Sequence, residues 1–231
     1  VKAKADPLST APAPEILLED NHVLAVNKPA GMLVQEDATG DVDLLAWGKA
    51  YLKAKYDKPG NVFLGLVHRL DRPVSGVVVF ARTSKAAARL SEQFRRRTTE
   101  KIYWALVEGE APARGELTQR LVREAGKSSR VAAAGEGQAA TLAFRRRSFA
   151  GGVSWLEVTL GTGRHHQIRL QLADAGHPIL GDLRYGARTP FGGQVALHAR
   201  RLAFDHPVKA VRLEIEAAPP SSWERFLGPA S

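Results

Sequence analysis

The sequence predicts an α+β fold: a single domain built on a largely antiparallel or mixed central β-sheet flanked by helices. Apolar, β-branched runs recur along the chain, and helical periodicity interrupts them. The two do not alternate in the strict βαβ order of a parallel sheet. A length of 231 residues with 44% hydrophobic content is enough to bury a core. Residues 1–14, rich in Ala and Pro and ending Thr10-Ala11-Pro12-Ala13-Pro14, read as an extended arm, and 15–231 as the folded domain.

From the N-terminus, 22–27 reads as a strand, Lys28-Pro29-Ala30-Gly31 as a turn, 41–56 as a helix and 62–67 as a strand. The run Gly76-Val77-Val78-Val79-Phe80-Ala81 has the continuous apolar character of a strand buried on both faces. Ala86, Leu90 and Phe94 recur at four-residue spacing, which predicts an amphipathic helix over 84–97 with a basic outer face. Strands follow over 101–108, 115–122, 139–147 and 153–160, then a helix over 164–175, then closing strands over 195–204 and 209–217.

The formal net charge is +9, with 33 Lys plus Arg against 24 Asp plus Glu, which points to a polyanionic partner, nucleic acid first. The bland alternative is a basic soluble enzyme. There is no cysteine, which excludes disulfides, thiolate nucleophiles and cysteine-bound zinc. No apolar run approaches the roughly 20 residues of a membrane span, and the N-terminus lacks a signal core, so a cytoplasmic protein is expected.

Two clusters concentrate reactive groups. In His68-Arg69-Leu70-Asp71-Arg72-Pro73-Val74-Ser75-Gly76, charges sit between two apolar strands. A carboxylate flanked by Arg69 and Arg72 is favoured in its charged form, which suits either a catalytic group or a structural ion pair. Arg69, two residues before Asp71 in an extended segment, shares its side of the chain. In Thr162-Gly163-Arg164-His165-His166-Gln167-Ile168-Arg169, a strand passes through glycine into a helix start, where amides and Arg164 would face an anion. Arg169 lies one helical turn after His165, while adjacent His165 and His166 diverge on a helix and cannot form a zinc pair. With no HExxH and no cysteine, no metal is expected.

These segments resemble the RluA family of pseudouridine synthases. His68-Arg69-Leu70-Asp71 with Ser75-Gly76 matches the family's HRLDxxTSG, and Lys101-Ile102-Tyr103-Trp104-Ala105 matches its KxYxA. Val26-Asn27-Lys28-Pro29-Ala30-Gly31 is similar to NKPxG, and Thr162 to Arg169 to TGRxHQIR. Gly176-His177-Pro178-Ile179-Leu180-Gly181-Asp182, Tyr185-Gly186, Leu197-His198-Ala199 and Phe204-Asp205-His206-Pro207 complete the order. Val74 and His165 stand where the family commonly has Thr. The family often carries an N-terminal S4 domain, for which residues 1–14 are too short.

The resemblance implies a pseudouridine synthase fold and a cofactor-free isomerase that converts uridine in structured RNA, ribosomal or transfer, to pseudouridine. It makes Asp71 the catalytic carboxylate, either attacking the sugar or base covalently or helping remove a sugar proton towards a glycal. Arg169 is then its ion-pair partner, and Tyr103 lies against the target base, with a part in proton movement. On its spacing alone, Tyr103 is an ordinary strand tyrosine. Leu197 supplies an apolar wall. Arg69 fills the space left by the flipped nucleotide or contacts a phosphate, while Lys28, Arg164 and the basic helix contact phosphates. A monomer is expected. The rival from another class is an RNA-binding protein without turnover, which has no need of the Asp71, Tyr103 and Arg169 set.

Overall fold

The structure is a computed structural model that describes residues 13–124, 128–133 and 135–227. In chain order these form strands β1 (Glu15–Glu19) and β2 (Val23–Lys28), helix α1 (Leu44–Lys55), strands β3 (Gly65–Leu66) and β4 (Ser75–Ala81), and helix α2 (Ser84–Arg96). Strands β5 (Glu100–Glu108), β6 (Arg114–Arg123), β7 (Ser129–Val131), β8 (Gln138–Ala150) and β9 (Val153–Leu160) follow. Helix α3 (Gln167–Asp174), strands β10 (Leu197–Asp205) and β11 (Arg212–Glu216), and the short helix α4 (Glu224–Leu227) complete the chain. The predicted α+β class and the prevalence of antiparallel pairing hold. The arm over 1–14 lies outside the described residues, apart from its last two. Backbone contacts divide the chain into two compact units.

The first unit comprises residues 13–99 and 201–218. Antiparallel β2 and β4 form its centre, with Ala25 opposite Val79 and Lys28 opposite Gly76, and β1 borders β2. Every residue of β4 is buried, as the apolar run predicts for a strand covered on both faces. On one face Val23, Ala25, Val77 and Val79 pack with Ala86 and Leu90 of α2 and with Leu202, Phe204 and Ile215. On the other face α1 presses so closely that a Cβ at Gly48 would lie 2.8 Å from a methyl of Leu64. Asp43 caps α1 by accepting from the Ala46 amide, and Thr83 caps α2 through Ala86. Arg97 ends α2 in a left-handed conformation.

The second unit comprises residues 100–200 and 219–227. Strands β5, β9, β8, β6 and β7 pair antiparallel in that order, Tyr103 opposite Val158 and Thr118 opposite Thr141. Leu170 of α3 packs on Leu121 and Ala140. Gln171 Nε2, at 3.3 Å from each, donates to the carbonyls of Leu117 and Ala140.

Several boundaries differ from expectation. The strand expected over 62–67 is only Gly65–Leu66, because the chain then leaves the ladder for the His68 segment. Helix α3 starts at Gln167 rather than at residue 164, since His166 is left-handed at φ 54° and breaks the helical path. Strands β1 and β7 had no predicted counterpart.

Candidate active site

In the first unit, residues 67–71 form an irregular segment leading to β4, and the amide of Val74 donates to the Asp71 carbonyl at 3.1 Å to close a turn. Leu70 is buried between exposed Arg69 and half-buried Asp71, so the segment is anchored by its apolar residue and offers the charged ones outward. His68 fastens the segment from below. Its Nε2 accepts from the Val79 amide at 2.9 Å and its ring stacks on Phe94, so this nitrogen is the unprotonated one.

The turn after β2 clamps the Asp71 segment. Gly31 donates its amide to the Arg72 carbonyl at 2.8 Å, and Arg72 Nε returns a bond to the Gly31 carbonyl at 3.0 Å. Gly31 holds φ +87°, a conformation open to glycine, which explains its place in this turn. The Arg72 guanidinium also pairs with Asp41 at 2.5 Å, so its charge is shared with a carboxylate other than Asp71.

Lys28 is fully buried, and its Nζ donates to the carbonyls of Pro29 (3.0 Å), Met32 (2.7 Å) and Arg72 (3.1 Å). This corrects the expected phosphate contact, because an ammonium enclosed by three carbonyls has no path to an RNA backbone. Its place is instead to tie both turns beside Asp71. Burial pushes the ammonium down to about 7, against the pull of the Asp71 charge and with a smaller push from Arg72.

The sign of the pH effect follows. Between about 7 and the ordinary 10.5, the unfolded chain holds a proton that the folded chain has released, so stability rises with pH across that window. Below about 7 the folded state carries the whole penalty. The window spans on the order of 3–5 kcal/mol. Lys28→Met is expected to remove this rise, read as urea unfolding free energies at several pH values between neutral and mildly alkaline. Parallel pH profiles for both proteins would contradict the assignment.

In the second unit, Arg169 is 5% exposed and projects from α3 to Asp182, 1% exposed. The contact is two-pronged, Nε to Oδ2 at 2.7 Å and Nη2 to Oδ1 at 2.8 Å. The Tyr185 ring lies beneath the guanidinium at 5.3 Å. The Tyr185 hydroxyl is 2.7 Å from His166 Nδ1 and accepts from the Ser129 amide at 3.0 Å. Burial raises the phenol, with Arg169 opposing, so it stays a neutral hydrogen-bonding group. Asp182 and Tyr185 had been read only as motif letters. The available signal was a lone carboxylate in the apolar stretch that follows α3.

The 162–166 segment differs from the expected open anion site. Gln167 folds its side chain back, accepting from Thr162 Oγ1 at 2.7 Å and from the Arg164 amide at 3.0 Å, which uses up that amide. Arg164 Nε donates to the Ala139 carbonyl at 3.2 Å. His165 and His166 were expected to diverge, yet their rings stack with centroids 3.8 Å apart, because neither lies within the helix. Tyr103 is half-buried on β5, and Leu197 is buried at the start of β10. Among the described residues, no three His, Asp or Glu side chains group as a metal site.

The family model described as RNA pseudouridylate synthase matches residues 22–174, spanning the Lys28 clamp, the Asp71 segment, Tyr103 and α3. The chain belongs to the RNA pseudouridylate synthase family. The synthase is 35% identical over 216 residues to the uncharacterized RNA pseudouridine synthase YhcT of Bacillus subtilis, covering 92% of this chain and 70% of that one. It is 34% identical to ribosomal large subunit pseudouridine synthase D of Zymomonas mobilis, covering 91% and 70%. To the dual-specificity RNA pseudouridine synthase RluA of Vibrio vulnificus it is also 34% identical, covering 86% and 80%. In fold it resembles human RNA pseudouridylate synthase domain containing 4, with a TM-score of 0.76 at 24% identity, covering 91% and 92%. The synthase is therefore an isomerase that converts uridine in RNA to pseudouridine. No helix is long and apolar enough to cross a membrane among the described residues.

Proposed function

We propose that the synthase acts on structured ribosomal or transfer RNA, with Asp71 as its catalytic carboxylate. The reaction breaks the bond from C1′ to N1, turns the freed uracil and joins C1′ to C5. N1 gains a proton and C5 loses one, so no oxidant, reductant or external group is consumed. Asp71 serves either by bonding covalently to sugar or base or by taking part in removal of a sugar proton, and both need the ionised carboxylate. The single observation behind the assignment is the fixing of its loop. A buried ammonium, the Gly31 turn and His68 hold a half-buried carboxylate in a segment with no regular structure of its own.

Tyr103 packs against the target base and takes part in moving its protons. Leu197 contributes apolar surface around the base. Arg169, oriented by Asp182, is the charge partner of the catalytic carboxylate, as the family resemblance implies. The target nucleotide must leave its stack, which costs a few kcal/mol in a duplex stem. Exposed Arg69 occupies the space it vacates. Arg164 and the basic outer face of α2 contact phosphates. The working form is a monomer in the cytoplasm, where both RNA classes are found.

The relatives named for the large ribosomal subunit and for dual specificity support both RNA classes. Transcripts of large-subunit ribosomal RNA and of transfer RNAs, treated with the protein and mapped by carbodiimide-dependent primer-extension stops, test this reading. Stops at one or a few defined uridines are expected. Transcripts of both classes without stops would overturn the substrate assignment.

A further inference from the structure

We propose that a groove in the second unit binds one phosphate and ribose step of the RNA strand, outside the target nucleotide. The proposal rests on the reading of RNA as substrate and extends it to a particular place. The groove has a volume of about 480 Å³ and is walled by Val122, Arg123, Gly137, Gly163, Arg164 and His165, among others. That volume falls within the usual range for sites holding a ligand the size of a nucleotide. Its lining comes from residues 121–138 and 163–165 and does not include Asp71.

Charge decides what fits. None of the lining residues is Asp or Glu, while two are arginines. Among the described residues Arg123 is recorded with no ion pair or hydrogen bond, and Arg164 spends only Nε, on the Ala139 carbonyl. Both guanidiniums thus keep terminal N–H groups for an anion, and the planar fork suits phosphate. The carboxylates next along the chain are already engaged. Glu124 and Glu136 both pair with Arg130, at 3.4 and 3.0 Å, which removes the repulsion they would offer a polyanion.

The groove is also built rather than incidental. Arg120 donates at 2.6 Å to each of the Glu136 and Gly137 carbonyls and so fixes the turn that forms one wall. Gly137 is left-handed there, and a Cβ would lie 2.7 Å from the Leu121 carbonyl oxygen, so only glycine lets the wall approach this closely. Across the groove, Gly163 has nothing within 4 Å of a would-be Cβ, leaving open space beside the Arg164 stem. His165 is braced by Ser129, whose Oγ is 3.0 Å from its Nδ1, and by its stacking on His166. Leu121 and Val122 give an apolar patch for a ribose, and the walls carry no exposed Phe, Tyr or Trp plate for a base. A sugar and its phosphate are therefore the part of RNA that matches.

The test compares Arg123→Gln, Arg164→Gln and the double variant with Arg114→Gln. Arg114 is an exposed arginine of the same strand β6, about 30 Å from Arg123 along an extended strand. Binding of large-subunit ribosomal and transfer RNA transcripts is measured across a salt series. The double variant is expected to bind about tenfold more weakly near physiological salt. Its dependence of log Kd on log salt should be shallower by about two, roughly one per arginine removed. Arg114→Gln should leave both near the values of the unmodified protein.

Hydrogen exchange on the unmodified protein, with and without RNA, gives a reading independent of any variant's folding. Amides of 121–123 and 163–165 are expected to slow when RNA binds. A double variant indistinguishable from Arg114→Gln, or no slowing in these segments, would overturn the proposal. Neither readout requires turnover. A protein that binds RNA through this groove and makes no pseudouridine would refute the catalytic reading and uphold the groove.

Discussion

Asp71→Asn is expected to abolish pseudouridine formation, lowering the single-turnover rate by at least about 10³-fold while RNA affinity changes little. The exchange keeps the shape of the side chain and removes only its charge and its capacity as nucleophile or proton acceptor. The loop should survive it, because what holds the loop acts on backbone atoms. Lys28 and Gly31 bond the Arg72 carbonyl, and Val74 bonds the Asp71 carbonyl. Loss of the charge has one further consequence within reach of measurement. Asp71 supports the proton of Lys28, so the variant's Lys28 should release that proton below about 7. The pH dependence of stability should then begin its rise earlier than in the unmodified protein.

The second large effect is on stability. Asp182→Ala strands the Arg169 guanidinium in a site where it is 5% exposed, with two of its donors unmatched. Breaking a buried pair by removing one partner is worth about 3–5 kcal/mol, seen as a lower urea midpoint. Replacing both members, Arg169→Met with Asp182→Leu, removes the stranded charge and should recover most of that loss. Catalysis should not return with it, because Arg169 is assigned a charge role beyond holding the fold. A double variant that regains both stability and turnover would reduce Arg169 to a structural residue.

Much of the framework was legible because it follows from periodicity. β4 announces itself as an unbroken apolar run, and every residue of it is buried. β9 has the bounds its alternation predicts, and α2 begins where its apolar spacing and Thr83 cap place it. The misses share a different cause. β1 carries Glu at both ends and β7 has three residues, so each is a strand only by virtue of its partner. The start of α3 was misread because nothing local marks His166 as left-handed or tells that Gln167 folds back on the 162–164 turn.

The site was partly legible for similar reasons. Asp71 stood out as a carboxylate among arginines between apolar strands, and Arg169 as part of a charged run. The inward fold of Lys28 was invisible, since a lysine ending a strand more often points to water. Its three carbonyl acceptors come from Pro29, Met32 and the distant Arg72, brought together only by the tertiary fold. Asp182, too, gains its meaning only when α3 packs beside it.

The most direct measurement of the central claim is tritium release from ribosomal and transfer RNA labelled at uridine C5, with no metal or nucleotide added and with Asp71→Asn as the reference. Moving the glycosidic bond to C5 must expel the hydrogen held there, so one tritium is released per pseudouridine formed. The account predicts release by the unmodified protein and none by Asp71→Asn. Release that persists in Asp71→Asn would contradict the assignment of Asp71, and absence of release from either RNA would contradict its action on these substrates.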